Sequence, residues 1–149
     1  MERTLIIVKP EGVQRGLIGK VITRFEQRGL KFVGLKLIHI TPELAEQHYG
    51  VHKGKAFYPG LVKHITSSPV VVGVVEGPKA ISIVRNTMGA TNAAEALPGT
   101  IRGDYALEIG FNIVHGSDGT ETAKQEIDLF FKPEELVDYT LATDQWVHE

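Results

Sequence analysis

An α+β fold is the class this sequence predicts. Three observations carry it: a short apolar, β-leaning run at Thr4–Val8, a helix-period segment just after it, and an unbroken valine-rich run at Val70–Val75. Thr4–Val8 is stopped by Lys9-Pro10, because a proline cannot donate to a continuing ladder. Ile18, Val21, Ile22 and Phe25 then recur at helical spacing up to Gly29, a residue suited to a helix stop. Phe32–Ile40 reads as the second strand, and Thr41-Pro42-Glu43 supplies a capping hydroxyl, a helix-compatible proline and an acid for the helical segments that follow. Those segments run to Ser67 with a break at Gly50–Gly54, and Pro69 opens Val70–Val75, a strand buried on both faces.

After the turn Glu76-Gly77-Pro78, the stretch Lys79–Met88 places Ala80, Ile81, Val84 and Met88 on one helical face. Gly89–Asp104 is rich in Gly, Thr, Asn and Pro and has no period, a long loop of the kind compact domains keep for function. Phe111–His115 reads as the fourth strand. Asp118 with Glu121 resembles a capping pair for a last helix striped by Ala123, Ile127, Phe130 and Phe131, and the final twenty residues read as a tail. The order is βαββαβ with added helices, so the expectation is one domain over residues 1–149, a ferredoxin-like sandwich on a four-stranded antiparallel sheet.

Composition narrows the chemistry. A length of 149 residues with 42% hydrophobic content suits a single core, and 16 Lys and Arg against 18 Asp and Glu leave a net charge of -2. No global field attracts nucleic acid or an anionic membrane, so any anion site is local, and a specific nucleic-acid partner is not expected. The absence of cysteine removes disulfides, thiolate metal sites and a cysteine nucleophile. Without a leader-like h-region or a run of 18 apolar residues, the chain reads as cytoplasmic, with no membrane partner.

Neither Gly-rich phosphate cradle, GxxxxGK[ST] or GxGxxG, occurs in the relevant turns. What remains is His115-Gly116-Ser117-Asp118 at a strand end, where free backbone N–H groups and a positive helix end could receive phosphate. With the unperturbed imidazole pKa near 6.5, any of the six histidines (39, 48, 52, 64, 115 and 148) would be mostly neutral and able to attack phosphorus, so chemistry alone does not choose among them. Gly116 beside it, with Ser117 and Glu126 within helical reach, makes His115 a candidate.

The segment Asn112-Ile113-Val114-His115-Gly116-Ser117-Asp118 closely resembles the active-site signature of nucleoside diphosphate kinases. The resemblance extends along nearly the whole chain, through Thr4–Pro10, His48-Tyr49, Lys55–Tyr58, Pro69–Val71, Pro98–Asp104 and Glu134–Val137. It implies a kinase that moves the γ-phosphoryl group of a nucleoside triphosphate to a nucleoside diphosphate in ping-pong fashion. His115 would be the nucleophile, phosphorylated at its pros (Nδ1) nitrogen, and Glu126 the carboxylate orienting the far side of its ring. Ser117 and Tyr49 match hydroxyls beside that histidine, although on the residues alone a cap hydroxyl and a core aromatic are the more usual readings.

By the same resemblance Arg85, Thr91 and Arg102 hold phosphates, Lys9 and Asn112 contact the sugar hydroxyls, and Phe57 stacks on the base, with His52 as a further phosphate contact. A site that stacks a base without reading its edge discriminates weakly, so broad nucleotide use is expected. Within a strand, Asn112 and His115 are three apart and point to opposite faces; only the resemblance brings them to one ligand. Mg2+ would arrive on the nucleotide, no protein metal site being evident, and the family implies a homo-oligomer, with the tail after Lys132 favouring a hexamer over a tetramer.

Departures from the family pattern are Glu11 where Asp is usual, Gly119 where Ser is usual, and Ala56 and Ala93 in place of prolines. Glu11 and Gly119 touch loop and helix-start geometry rather than the chemistry. The competing classes are a nucleotide-binding module that has lost turnover, which would show a broken site, and a nucleic-acid-binding protein, which would show a basic stripe interleaved with aromatics.

Overall fold

The computed structural model describes all 149 residues. Strands β1 (Glu2–Val8), β2 (Lys31–Ile38), β3 (Val70–Gly77) and β4 (Val114–Gly116) pair antiparallel in the order β2-β3-β1-β4. Helices α1 (Pro10–Gln14) and α2 (Ile18–Arg28) follow β1, while α3 (Pro42–His48) and α4 (Tyr58–Ile65) separate β2 from β3. Helices α5 (Ala80–Met88) and α6 (Ile101–Tyr105) precede β4, and α7 (Thr120–Phe130) follows it. This is the ferredoxin-like α+β sandwich that the pattern predicts. No helix is long and apolar enough to cross a membrane.

The valine-rich β3 runs between β1 and β2, and its side chains are buried on both faces, as are Leu5 to Val8 of β1. Ile6, Val8, Val71 and Val75 face Val21 and Phe25 of α2 and Val84 and Met88 of α5. Leu5, Ile7, Val72 and Val74 face Ala45 of α3, Ile65 of α4 and Phe130 of α7. Each such side chain removed from water contributes about 1.5 to 3 kcal/mol, so the two layers are held by the alternation of β1 and β3. Local signals agree: α2 stops at Gly29 with φ 103, and the Thr41 hydroxyl accepts from Leu44 N at 3.1 Å to start α3.

Several boundaries differ from the expectation. The fourth strand is not Phe111–His115 but Val114–Gly116, preceded by a 3-10 turn at Ile109–Phe111, because Ile113 at φ 74 interrupts the extended run. The loop Gly89–Asp104 contains a 3-10 turn at Ala93–Glu95 and α6, started by the Asn92 and Thr100 side chains and too short to show a period. Pro10 likewise opens the unforeseen α1. Asp118 and Glu121 form no capping pair: α7 starts after Gly119, so Asp118 stands one residue too early, and Gly119 offers no side chain. Glu76 and Gly77 continue β3 rather than turn.

The C-terminal residues are a strap more than a tail. Val137 N donates to Val33 O at 2.8 Å, Lys36 meets Glu135 at 3.0 Å, the Tyr139 hydroxyl donates to Phe32 O, and Arg3 binds Asp138.

Candidate active site

His115 is the middle residue of β4 and stands opposite Ile7 of β1, so it projects toward the layer containing α3 and α7. β4 is a three-residue edge strand, and side chains from both helical layers reach past it into one cleft of about 720 Å3. Lys9, His48, Tyr49, His52, Arg85, Thr91, Arg102, Asn112, His115 and Glu126 all line it, as does Asp118. The His115 side chain is 26% exposed, open enough for a reactant to reach.

Glu126, projecting from α7, receives His115 Nε2–H at 2.9 Å on Oε1, and the Ser117 hydroxyl donates to the same oxygen at 2.6 Å. Burial alone would push the Glu126 carboxyl up. The hydrogen bond and charge of His115, followed by Ser117 and His48, outweigh that and hold it below the ordinary range. A carboxylate bound at Nε2 fixes the tautomer and leaves Nδ1 as the ring's lone-pair nitrogen. Ser117, fully buried, thus stands on the Glu126 side of the His115 ring and shares with it one carboxylate oxygen.

His48, from the end of α3, was not assigned a role by sequence. Its ring meets that of His115 edge-on with centroids 5.0 Å apart, and also packs on Tyr49 and Phe130. Burial, then the charge of His115, lowers its pKa to about 4, against the pull of Glu126. It is neutral at pH 7, so the 3.6 Å approach of its Nδ1 to Glu126 Oε2 is not an ion pair. The signal in the sequence was its place in the family-matching pair His48-Tyr49.

On the opposite wall Arg102 is buried and spends its donors on backbone carbonyls: Nε to Asn112 O at 3.2 Å, Nη1 to Gly89 O at 3.0 Å and Nη2 to Val114 O at 2.7 Å. Burial and then the neighbouring Arg85 lower its pKa to about 10, so it stays cationic at neutral pH. Arg85 donates to Gly116 O at 3.2 Å. Lys9 Nζ donates to Asn112 Oδ1 at 2.7 Å, and Asn112 Nδ2 donates to Thr91 O at 2.9 Å. Burial brings Lys9 down to about 8, with Glu11 opposing and Arg102 adding to the fall.

The strand-parity objection disappears, since Asn112 precedes the strand and the left-handed Ile113 re-aims it into the cleft. A Cβ at Gly116 would stand 2.8 Å from Met88 Sδ, so the glycine lets α5 approach β4.

Two expected residues fit less closely. Tyr49 lines the cleft, but its hydroxyl makes no hydrogen bond to His115, and burial, then Glu11 and Glu126, raise its pKa to about 12. Phe57 lies outside the cleft lining, 53% exposed, with its ring 5.3 Å from that of His52. It forms an outer rim, one ring away from the cleft lining at His52.

A family model described as nucleoside diphosphate kinase matches residues 2–136. The chain is 63% identical over 147 residues to the nucleoside diphosphate kinase of Thermomicrobium roseum, with 99% of each covered. It is 58% identical over 149 residues to that of Roseiflexus sp., with 100% of each covered. It superposes with a TM-score of 0.97 on a halophilic nucleoside diphosphate kinase from Halobacterium salinarum in complex with CDP, 52% identical with 99% of each chain covered. A nucleoside diphosphate kinase family protein from Babesia bovis gives the same score at 47% identity, over 99% of this chain and 100% of that one. A match of this extent, to relatives sharing more than half their residues along their full length, places the chain in the nucleoside diphosphate kinase family, a family of phosphotransferases.

Proposed function

We propose that the cleft transfers the γ-phosphoryl group of a nucleoside triphosphate to His115 and from there to a nucleoside diphosphate. The observation that carries the reading is the Glu126–His115 pair, which occupies Nε2 and leaves Nδ1 without a protein partner on a ring that lines the cleft. Nδ1 attacks the γ-phosphorus, an N–P bond forms, the bond to the β-phosphate oxygen breaks, and the diphosphate leaves with that oxygen's charge. The imidazolium keeps its Nε2–H on Glu126, which offsets the positive charge developing on the ring. A second diphosphate reverses the step, so no water takes part.

Arg85, Arg102 and Thr91 are the donors for phosphate oxygens, where a charge-assisted bond is worth about 1.5 to 3 kcal/mol. Arg102 contributes the N–H groups it does not spend on the backbone, and His52 adds a contact at the rim. Lys9 and Asn112, already bonded to each other, meet the sugar hydroxyls. Phe57 stacks on the base from its exposed rim position, a contact that the face of any base can make and that supports broad base tolerance.

Mg2+ belongs to the nucleotide in this reading. The one compact cluster of potential ligands, His48, His115 and Glu126, offers two imidazoles and a carboxylate, a set that suits zinc better than a hard oxygen-seeking cation. Mg2+ bound to the phosphates supplies charge neutralisation there. The reading treats residues 1–149 as one cytoplasmic domain that assembles with copies of itself. The exposed Leu35 and Leu37 on the open edge strand β2 support such pairing. Incubation with ATP and Mg2+ followed by a search for acid-labile phosphate tests the reading. His115 should carry the label and His115→Ala should abolish exchange while nucleotide still binds; exchange surviving in that variant overturns the mechanism.

A further inference from the structure

Asn112 and His115 open into one cleft because the chain turns left-handed at Ile113, φ 74, an unfavourable conformation for a β-branched residue. Such a backbone persists only where its surroundings over-determine it. Those surroundings are the first residues after β1. Lys9 N donates to Ile113 O at 2.8 Å, and Glu11 Oε2 accepts from Ile113 N at 3.0 Å, so both polar groups of Ile113 are gripped. Gly12 lets the turn lie flush: a Cβ there would stand 2.7 Å from Val8 Cγ1 and 3.3 Å from Ile113 O. The other Glu11 oxygen is tied to His64 Nε2 at 2.8 Å, and the His64 ring stands edge-on to Phe111 with centroids 5.2 Å apart.

We propose that Glu11 is a positioning residue of the active site, holding the inverted peptide at Ile113 so that Asn112 and His115 face the same nucleotide. The inference rests on the roles given above to those two residues, and it reverses the view that Glu11 touches only loop geometry. Glu11 itself does not line the cleft and needs no contact with the nucleotide. Its grip passes to the sugar-facing pair through the Asn112 side chain, which bridges Lys9 Nζ and Thr91 O, and through Asn112 O, which accepts from Arg102. When the grip is lost, Ile113 relaxes toward extended backbone and Asn112 swings to the far face of the strand while His115 stays paired with β1.

The experiment compares wild type, Glu11→Ala, Glu11→Met and Glu11→Gln with two acceptors, an ordinary nucleoside diphosphate and its 2′,3′-dideoxy analogue. Met keeps the bulk without an oxygen acceptor, and Gln keeps an oxygen for Ile113 N. In the Ala and Met variants kcat/KM for the hydroxyl-bearing acceptor should fall roughly tenfold or more, and its advantage over the dideoxy analogue should collapse toward one. Gln should restore most of that advantage. A merely structural role would lower both acceptors together, and an unchanged ratio in the Met variant overturns the proposal even if the Ala variant does not fold. If wild type itself shows no preference for the hydroxyl-bearing acceptor, the sugar-binding role of Asn112 fails first; if wild type discriminates and Met matches it, only the role of Glu11 fails.

Discussion

Acidification tests the electrostatics behind His115 through His48, whose side chain is 3% exposed and whose Nδ1 has no hydrogen-bond partner. Burial, reinforced by His115, sets its folded pKa near 4, whereas a histidine in the unfolded chain titrates near 6.5. Between those values the unfolded state takes up a proton that the folded state refuses. Stability is therefore intact above pH 6.5 and declines as pH falls toward 4. At pH 4.5 the two pKa values correspond to a loss of about 2.5 kcal/mol from this one group relative to pH 7. His48→Phe provides the reference, since the phenyl ring fills the same volume against Phe130 and does not titrate. Denaturant unfolding of both proteins at pH 7 and pH 4.5, at one protein concentration, measures the difference. Wild type should lose about 2.5 kcal/mol more than the variant. Equal losses would mean that His48 protonates within the fold at an ordinary pKa, and the account of a neutral ring wedged behind the nucleophile would be wrong.

Three other outcomes follow from named contacts. Lys9, with a pKa of about 8, carries its charge at pH 7 and has mostly lost it by pH 9, so kcat/KM should fall roughly tenfold across that range; Lys9→Gln should be flat, and a flat wild-type profile refutes the assignment. Arg102→Ala strands three backbone acceptors, Asn112 O, Gly89 O and Val114 O. It should cost about 3 kcal/mol or more by thermal or denaturant unfolding; a change below about 1 kcal/mol would show that the arginine does not hold the loop. Phe57→Ala, at an exposed position, should leave stability within about 0.5 kcal/mol while weakening nucleotide binding by about 1 to 3 kcal/mol; titration calorimetry with unchanged affinity would remove the stacking role.

The sheet and its covering helices were legible because period-2 and period-3.6 runs of Leu, Ile and Val report directly which faces are buried, and β1, β3, α2 and α5 fall where those runs fall. Features shorter than one period were not. Helix α1 spans five residues and β4 three, and neither is long enough for burial to repeat. Most of the residues named by resemblance line one cleft, and the departures from expectation share a cause. Ser117 hydrogen-bonds Glu126, Phe57 stands on the outer rim, His48 packs edge-on against His115, and Glu11 bonds the backbone of Ile113. A motif identifies which side chains matter, whereas the direction each one points depends on backbone details such as Ile113, whose isoleucine gives no hint of a left-handed turn.

The strand order has a consequence for synthesis. β1 is made first, yet its hydrogen-bonding neighbours are β3 and β4, more than sixty residues downstream. A ribosome releasing this chain therefore exposes the wholly apolar stretch Leu5–Val8 for as long as it takes to translate to Val71 and beyond, with no sheet to receive it. Closure of so distant a pairing is slow compared with helix formation. The nascent chain's window of vulnerability to aggregation is thus set by the middle of the message, and ends only when the third strand emerges.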